Sequence, residues 1–150
     1  MDIREQIIKE NIKKVIEESV PIHKYLGLQT IEISTGFIKV RVPFSENVIG
    51  NKKKRRWHGG IIATVMDALG GMVGGTHYTS PDDSIATIDL RIDYLKGAEA
   101  SSIIVEAKEV RLGNRILVVK MKAFQEDSNM LIAEGKGVYN FIRNNPDESK

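Results

Sequence analysis

Apolar residues at Ile3, Ile7, Ile8, Ile12, Val15 and Ile16 recur at three- and four-residue spacing, which predicts an amphipathic helix over 2–19 that stops before Pro21. From Tyr25 to Ile33 and from Gly36 to Phe44 the period shortens to alternation, with Ile38, Val40 and Val42 on one face, as in a hairpin pair. Residues 45–58, "SENVIGNKKKRRWH", have no usable period and are assigned to a long loop. From Gly59, positions 61, 62, 65, 66, 69, 72 and 73 restore helical spacing and predict a helix of about four to five turns. In "DSIATIDLRIDYL" the residues Ala86, Ile88, Leu90, Ile92 and Tyr94 alternate with Thr87, Asp89, Arg91 and Asp93, which predicts a half-buried strand. Two strands over 102–112 and 115–126 meet at "LGNR", and a last one runs over 130–143 after the turn signal "EDSN". The order of helix, two strands, long helix and four strands joined by short turns is that of an α+β domain, with 144–150 as a frayed tail.

A chain of 150 residues suits one domain, here 1–150, with a core over about 25–142 and the helix at 1–20 added to it. The 22 basic and 20 acidic side chains nearly cancel, so global charge names no partner. With no cysteine, disulfides, thiolate metal sites and a cysteine nucleophile are excluded. Asp2, Arg4 and Glu5 break the start where an export signal would be apolar, and no uncharged run approaches the ~20 residues that span a bilayer. The expectation is a cytoplasmic protein with no membrane partner.

The segment "WHGGIIATVMDALGGMVGG" sets one acid, Asp67, in a run of apolar or very small residues. Its neighbours three and four positions away are Ala63, Thr64, Gly70 and Gly71, none of which can form an ion pair with it or cover it. Such a carboxylate beside a groove is suited to act on water. The other reading is that small residues let a curved sheet wrap closely, with Asp67 capping a backbone or meeting a distant Arg. Gly59 and Gly60 open the helix, where free amides and the positive helix end favour an oxygen gaining negative charge. Gly60 and Asp67 lie two turns apart on one side, a pairing suited to acyl hydrolysis.

"HGGIIATVMDALGG", the preceding "NVIG", the later "TIDLRIDYL" and the closing "LIAEGKGVY" together resemble the hotdog-fold acyl-CoA thioesterases of the phenylacetate-degradation type, over roughly residues 25–142. The resemblance implies a six-stranded antiparallel sheet wrapped around the central helix, a homodimer with a continuous sheet, often a tetramer, and active sites at the subunit interface. It implies Asp67 as nucleophile or general base, Gly59 as the amide that polarises the thioester carbonyl, His58 as a group near the leaving thiol, and Thr87 as a residue that helps to place water. Asn47 in "NVIG" matches the active-site Asn, but seven residues stand between Gly50 and His58 where relatives have about two. Asn51 is therefore an alternative to Asn47. Gly60 and Thr64 are assigned to substrate binding beside them.

The five extra positions are Lys52, Lys53, Lys54, Arg55 and Arg56, a solvated loop or a grip on the phosphates of coenzyme A. Trp57 either stacks on the adenine or anchors the loop. Nucleic acid is the weaker partner, because no recognition signature accompanies the charges. His23 and His77 have no motif support, and three widely separated histidines make no metal cluster; neither metal nor cofactor is expected. The reading is a homo-oligomeric acyl-CoA thioesterase. Its rivals are a non-catalytic acyl-CoA-binding hotdog sensor and a hotdog hydratase or dehydratase.

Overall fold

The computed structural model describes residues 2–144. Helix α1 spans Ile3–Lys14, starts on the Asp2 side chain as cap, and continues through a wider π-type turn at Val15–Ser19. Val20 then turns extended, and Pro21, whose fixed φ suits a first helical position, opens α2, Pro21–Leu26. The sequence places strand from Tyr25, but Tyr25 and Leu26 finish α2, and Gly27 closes it in the left-handed conformation. Strand β1 is Gln29–Ser34 and β2 is Phe37–Val42. Next come a short ribbon of β3, Ile49–Asn51, and β4, Arg56–Trp57, then helix α3, Gly59–Gly75. The chain ends in β5, Ser84–Tyr94, β6, Ile103–Leu112, β7, Ile116–Gln125, and β8, Leu131–Ile142.

Six strands form one sheet in the order β1-β2-β6-β7-β8-β5, every neighbouring pair antiparallel. α3 lies against β2, β5, β6, β7 and β8. Its Val65, Met66, Leu69 and Val73 are fully buried, which is why a helix this apolar is stable only when packed against the sheet. The opposing strands supply Ile38, Val40, Ile103, Val105, Leu117 and Val119 to the same core. The expected fray at 145–150 lies outside the described residues, while Asn144 is held by its N–H on Asp83 Oδ1 at 3.0 Å.

Two sequence expectations change in the structure. The stretch 45–58 is not an irregular loop: it makes a short turn at Glu46–Val48 and then the β3-β4 ribbon, with the basic run at its tip. In β5 the register with β8 slips between Thr87 and Asp89, so Ile88 has no partner opposite it. A bulge of this kind reverses the alternation. Ile85 and Thr87 therefore face α3 before the bulge, and Ile92 and Tyr94 face it afterwards, while Ile88 is 56% exposed.

The sheet closes on α3 most tightly at Tyr139 of β8. A methyl group added at Gly70 would lie 2.1 Å from its hydroxyl oxygen and 2.7 Å from the ring carbon bearing it. Gly137 makes the same room on the strand, since its added Cβ would lie 2.4 Å from the ring. The ring cannot swing aside, being fully buried. Gly70→Ala should therefore destabilise the fold by about 1–3 kcal/mol, the usual cost of overpacking, read as a lower urea midpoint.

Candidate active site

The site begins where the ribbon returns to the helix. Gly50 packs so closely on His58 that a Cβ there would lie 2.7 Å from the His58 Cα, and the His58 N–H donates to the Val48 carbonyl at 2.7 Å. Trp57 fastens the same corner. It is buried, its N–H donates to Ala98 O at 3.0 Å, its Nε1–H donates to Ser101 O at 2.9 Å, and its ring meets Phe44 edge-on at 6.3 Å. Of the two readings of Trp57, stacking on the adenine and anchoring the loop, its burial and its hydrogen bond to Ser101 favour the anchor.

With the corner fixed, the extra residues project as a ribbon rather than displacing what flanks them. The exposed Asn47 sits in the Glu46–Val48 turn, next to the residue that binds His58, so the "NVIG" turn still adjoins the start of α3. Asn51 is used locally, its Oδ1 accepting the Lys54 N–H at 3.0 Å to shape the ribbon tip. Of the basic run, Arg55 makes a two-pronged pair with Glu46 at 2.6 and 3.2 Å, and Arg56 lies 3.5 Å from Glu99. Lys52, Lys53 and Lys54 are exposed with no acidic partner among the described residues.

His58 caps α3. Its Nδ1 accepts the Gly60 N–H at 2.9 Å, so when neutral it carries its proton on Nε2. That contact consumes the Gly60 amide. Ile61 and Ile62 donate to the His58 carbonyl, which leaves the Gly59 N–H as the free donor of this first turn among the described residues. The Gly59 carbonyl accepts from the Tyr94 hydroxyl at 2.6 Å, and burial raises the Tyr94 pKa, so the phenol keeps its proton. Sheet and helix end are thus tied by one hydrogen bond.

About two turns further along, Asp67 is half-buried. Its Oδ1 accepts from the Thr87 hydroxyl at 2.9 Å, and the Tyr139 hydroxyl proton is shared between Asp67 Oδ1 at 3.3 Å and the Asp67 carbonyl at 3.0 Å. No donor among the described residues reaches Oδ2. Thr64 is spent partly on its own helix, donating to Gly60 O at 2.8 Å, and its side chain lines the same hollow. That hollow is a cavity of about 410 Å³ with Asp67, Thr64, Thr87 and Tyr139 on one side and Val20, Ile22 and His23 of the N-terminal segment roofing it. Burial lowers the His23 pKa, outweighing its contact with the Val15 carbonyl, so the roof is uncharged at neutral pH. His77 lies elsewhere, paired with Glu109.

Sequence reasoning singled out Asp67, Thr87, Gly59 and His58, and the structure joins Asp67 to Thr87 and Gly59 to His58. It missed Tyr139, whose signal was a glycine in the helix and one on the strand with no turn to explain either. The two clusters are not one site within a chain. Gly59 and Asp67 are eight residues apart on a straight helix, a rise of ~12 Å, which is far more than one carbonyl can bridge.

The six-stranded antiparallel sheet and the long helix packed on it define a hotdog domain. The thioesterase superfamily pattern matches residues 56–132, from the base of the ribbon through α3 and into β8, and the chain belongs to that superfamily of hydrolases. It is similar to the medium/long-chain acyl-CoA thioesterase YigI of Salmonella typhimurium, at 28% identity over 132 residues covering 80% of this chain and 84% of that one. The YigI protein of Escherichia coli K12 is 26% identical over the same shares. Among solved structures, a Shewanella oneidensis protein related to the thioesterase superfamily superposes with a TM-score of 0.82 at 26% identity, over 93% of this chain and 99% of that one. No helix of the described residues is long and apolar enough to cross a membrane.

Burial first, then the Asp67 charge and the hydrogen bond to it, raise the Tyr139 pKa far above that of a free phenol. A raised folded-state pKa contributes stability that is fully present below the unfolded value of about 10 and is lost as pH rises beyond it. Denaturant titrations on both sides of that pH should show a steep alkaline loss in the wild type and a much flatter one in Tyr139→Phe. Asp67→Asn should fall between them, because it removes the charge but not the burial.

Proposed function

We propose that the protein is an acyl-CoA thioesterase of the phenylacetate-degradation type, in which Asp67 acts as general base or nucleophile and the Gly59 amide polarises the thioester carbonyl. The observation that carries this reading is that α3 bears both an anchored carboxylate, Oδ1 held by Thr87 with Oδ2 free, and, ~12 Å away at its head, one unspent amide, so that two copies of the helix can bring one of each together. Hydrolysis adds water to the thioester carbon. The oxygen that becomes negative is met by the Gly59 N–H and the positive end of α3. Asp67 takes the proton of the attacking water, or attacks directly and is released by water afterwards. The carbon–sulfur bond breaks, and coenzyme A leaves as a thiol or thiolate beside the Nε2–H of His58. Thr87 fixes the carboxylate and helps to place the water.

The ~12 Å between Gly59 and Asp67 supports a site built from two chains. Among the described residues β5 is an edge strand with no partner on its outer side, and it exposes Ile88 and Tyr94. Joining β5 to β5 across a two-fold axis would satisfy the open edge and set two α3 helices side by side. In that homodimer the Gly59 of one chain faces the Asp67 of the other, and two such dimers make the tetramer. Asn47, beside the same helix end, is placed to touch the substrate there.

Asp67→Ala should lower turnover at least ~100-fold, the scale for losing a positioned acid-base group. Gly59→Pro removes the proposed carbonyl-binding N–H at a first helical position, where proline is tolerated and His58 before it is already extended at ψ 122°, while its Cβ, 3.2 Å from the Tyr94 ring, obliges that ring to shift by a few tenths of an ångström. Each homodimer should be nearly inactive. Mixing the two after unfolding and refolding should restore activity, because one of the two sites in each mixed dimer then has an intact Gly59 and an intact Asp67. A mixture no more active than its parts would refute the shared site.

The exposed Lys52, Lys53 and Lys54 at the ribbon tip are positioned to attract the phosphates of coenzyme A. Replacing all three with Ser should raise KM for acyl-CoA several-fold at low salt and flatten its salt dependence, with kcat kept, and short thioesters without the nucleotide should not respond.

A further inference from the structure

The cavity at Asp67 does not end at Asp67. Met72 and Tyr78 form its far wall, and the same two side chains form the near wall of a second, larger cavity of about 670 Å³ under α1. Ile3, Ile7, Ile8 and Ile12 line that second space from above and Gly75 from below. Its polar side chains lie at the rim, Asp2, Arg4 and Asn11 from α1 and its cap and Thr79 and Ser80 from the segment after α3. A cavity of this size and apolar lining falls in the range of small-molecule sites. Ile3 is 74% exposed and Ile7 is 51% exposed, which is costly for residues of an amphipathic face that already has a core to pack on.

The partition between the cavities is uneven. Tyr78 is fixed, its ring edge-on to Phe141 at 5.6 Å. Met72 is an unbranched thioether with three rotatable bonds, the side chain best able to yield to a flexible ligand. Among the described residues the first cavity holds one acid, Asp67, and Met72 stands between it and the second cavity, whose wall is mostly isoleucine.

We infer that the cavity beneath α1 receives the distal methylenes of a medium- or long-chain acyl group whose thioester lies at Asp67, with Met72 as the gate between the two. This rests on the thioesterase reading and specifies its substrate: acyl chains long enough to pass Met72 gain contacts that short chains cannot reach. The similarity to proteins named medium/long-chain acyl-CoA thioesterases accords with it. The N-terminal helices are then a chain-length device laid over a catalytic core, α2 roofing the reacting end and α1 the tail.

Two variants test it. Ile7→Glu puts a carboxylate in the tail's path at a position exposed enough to leave folding intact, and Met72→Trp fills the junction. Each buried methylene is worth about four-fold in affinity, so losing two contacts or more should lower the ratio of kcat/KM for palmitoyl-CoA over butyryl-CoA at least ~10-fold in both variants. An unchanged ratio in Ile7→Glu, whether both rates fall together or neither does, overturns the inference. So does a change in sedimentation of Ile7→Glu, which would assign the groove to a second copy of the chain. Calorimetric titration with free palmitate separates this question from the thioesterase reading. A wild type that hydrolyses no acyl-CoA but binds palmitate at least ~10-fold more tightly than Ile7→Glu keeps the tail cavity and loses the reaction. A wild type that binds no palmitate loses the cavity.

Discussion

The structure turns on one close approach, that of the Tyr139 phenol to α3 at Gly70. It is permitted only because the helix has no Cβ there, and it places a hydroxyl on both the backbone and the side chain of Asp67. Packing and chemistry are the same contact. The sheet can curve tightly because the ring fills the gap left by glycine, and the carboxylate can sit half-buried without a cation because two hydroxyls donate to it. A larger residue at position 70 would push the sheet away and take the hydroxyl with it.

The bulge in β5 does for the second hydroxyl what Gly70 does for the first. Strict alternation would turn Thr87 outward with Asp89 and Arg91. One residue without a partner, Ile88, lets Thr87 and Tyr94 both face the helix from one strand, the former to Asp67 and the latter to the Gly59 carbonyl. Those two contacts are spaced like the two ends of the candidate chemistry along α3. The same strand is one of the sheet's two edges, so the residues that hold α3 from β5 lie at the rim of the sheet.

The β3-β4 ribbon projects away from the head of α3. Trp57 and the Val48–His58 hydrogen bond pin its two feet, so the basic residues project from a rigid base. Arg55 and Arg56 are paired with Glu46 and Glu99 and so help to shape the ribbon, whereas the three lysines keep their charge toward solvent.

The amino-acid pattern by itself determined the α+β order, the long apolar helix with its single acid and the strand positions to within a few residues, because periods of 3.6 and 2 are local properties of the chain. It also singled out Asp67, Gly59 and His58, since an acid among glycines and a Gly-Gly helix start are local anomalies. What only the tertiary structure decided depends on residues far apart in sequence. The bulge that turns Thr87 inward comes from registry with β8. Tyr139 becomes a ligand of Asp67 only when β8 lies on α3, 72 positions away. Trp57 is an anchor because Ser101 and Phe44 meet it in space. The continuation of α1 into a second helix, which took Tyr25 from the expected strand, follows from burying Ile16, His23 and Leu26 against the rest of the molecule. Local spacing fixes which face an element presents, and long-range packing decides what that face meets.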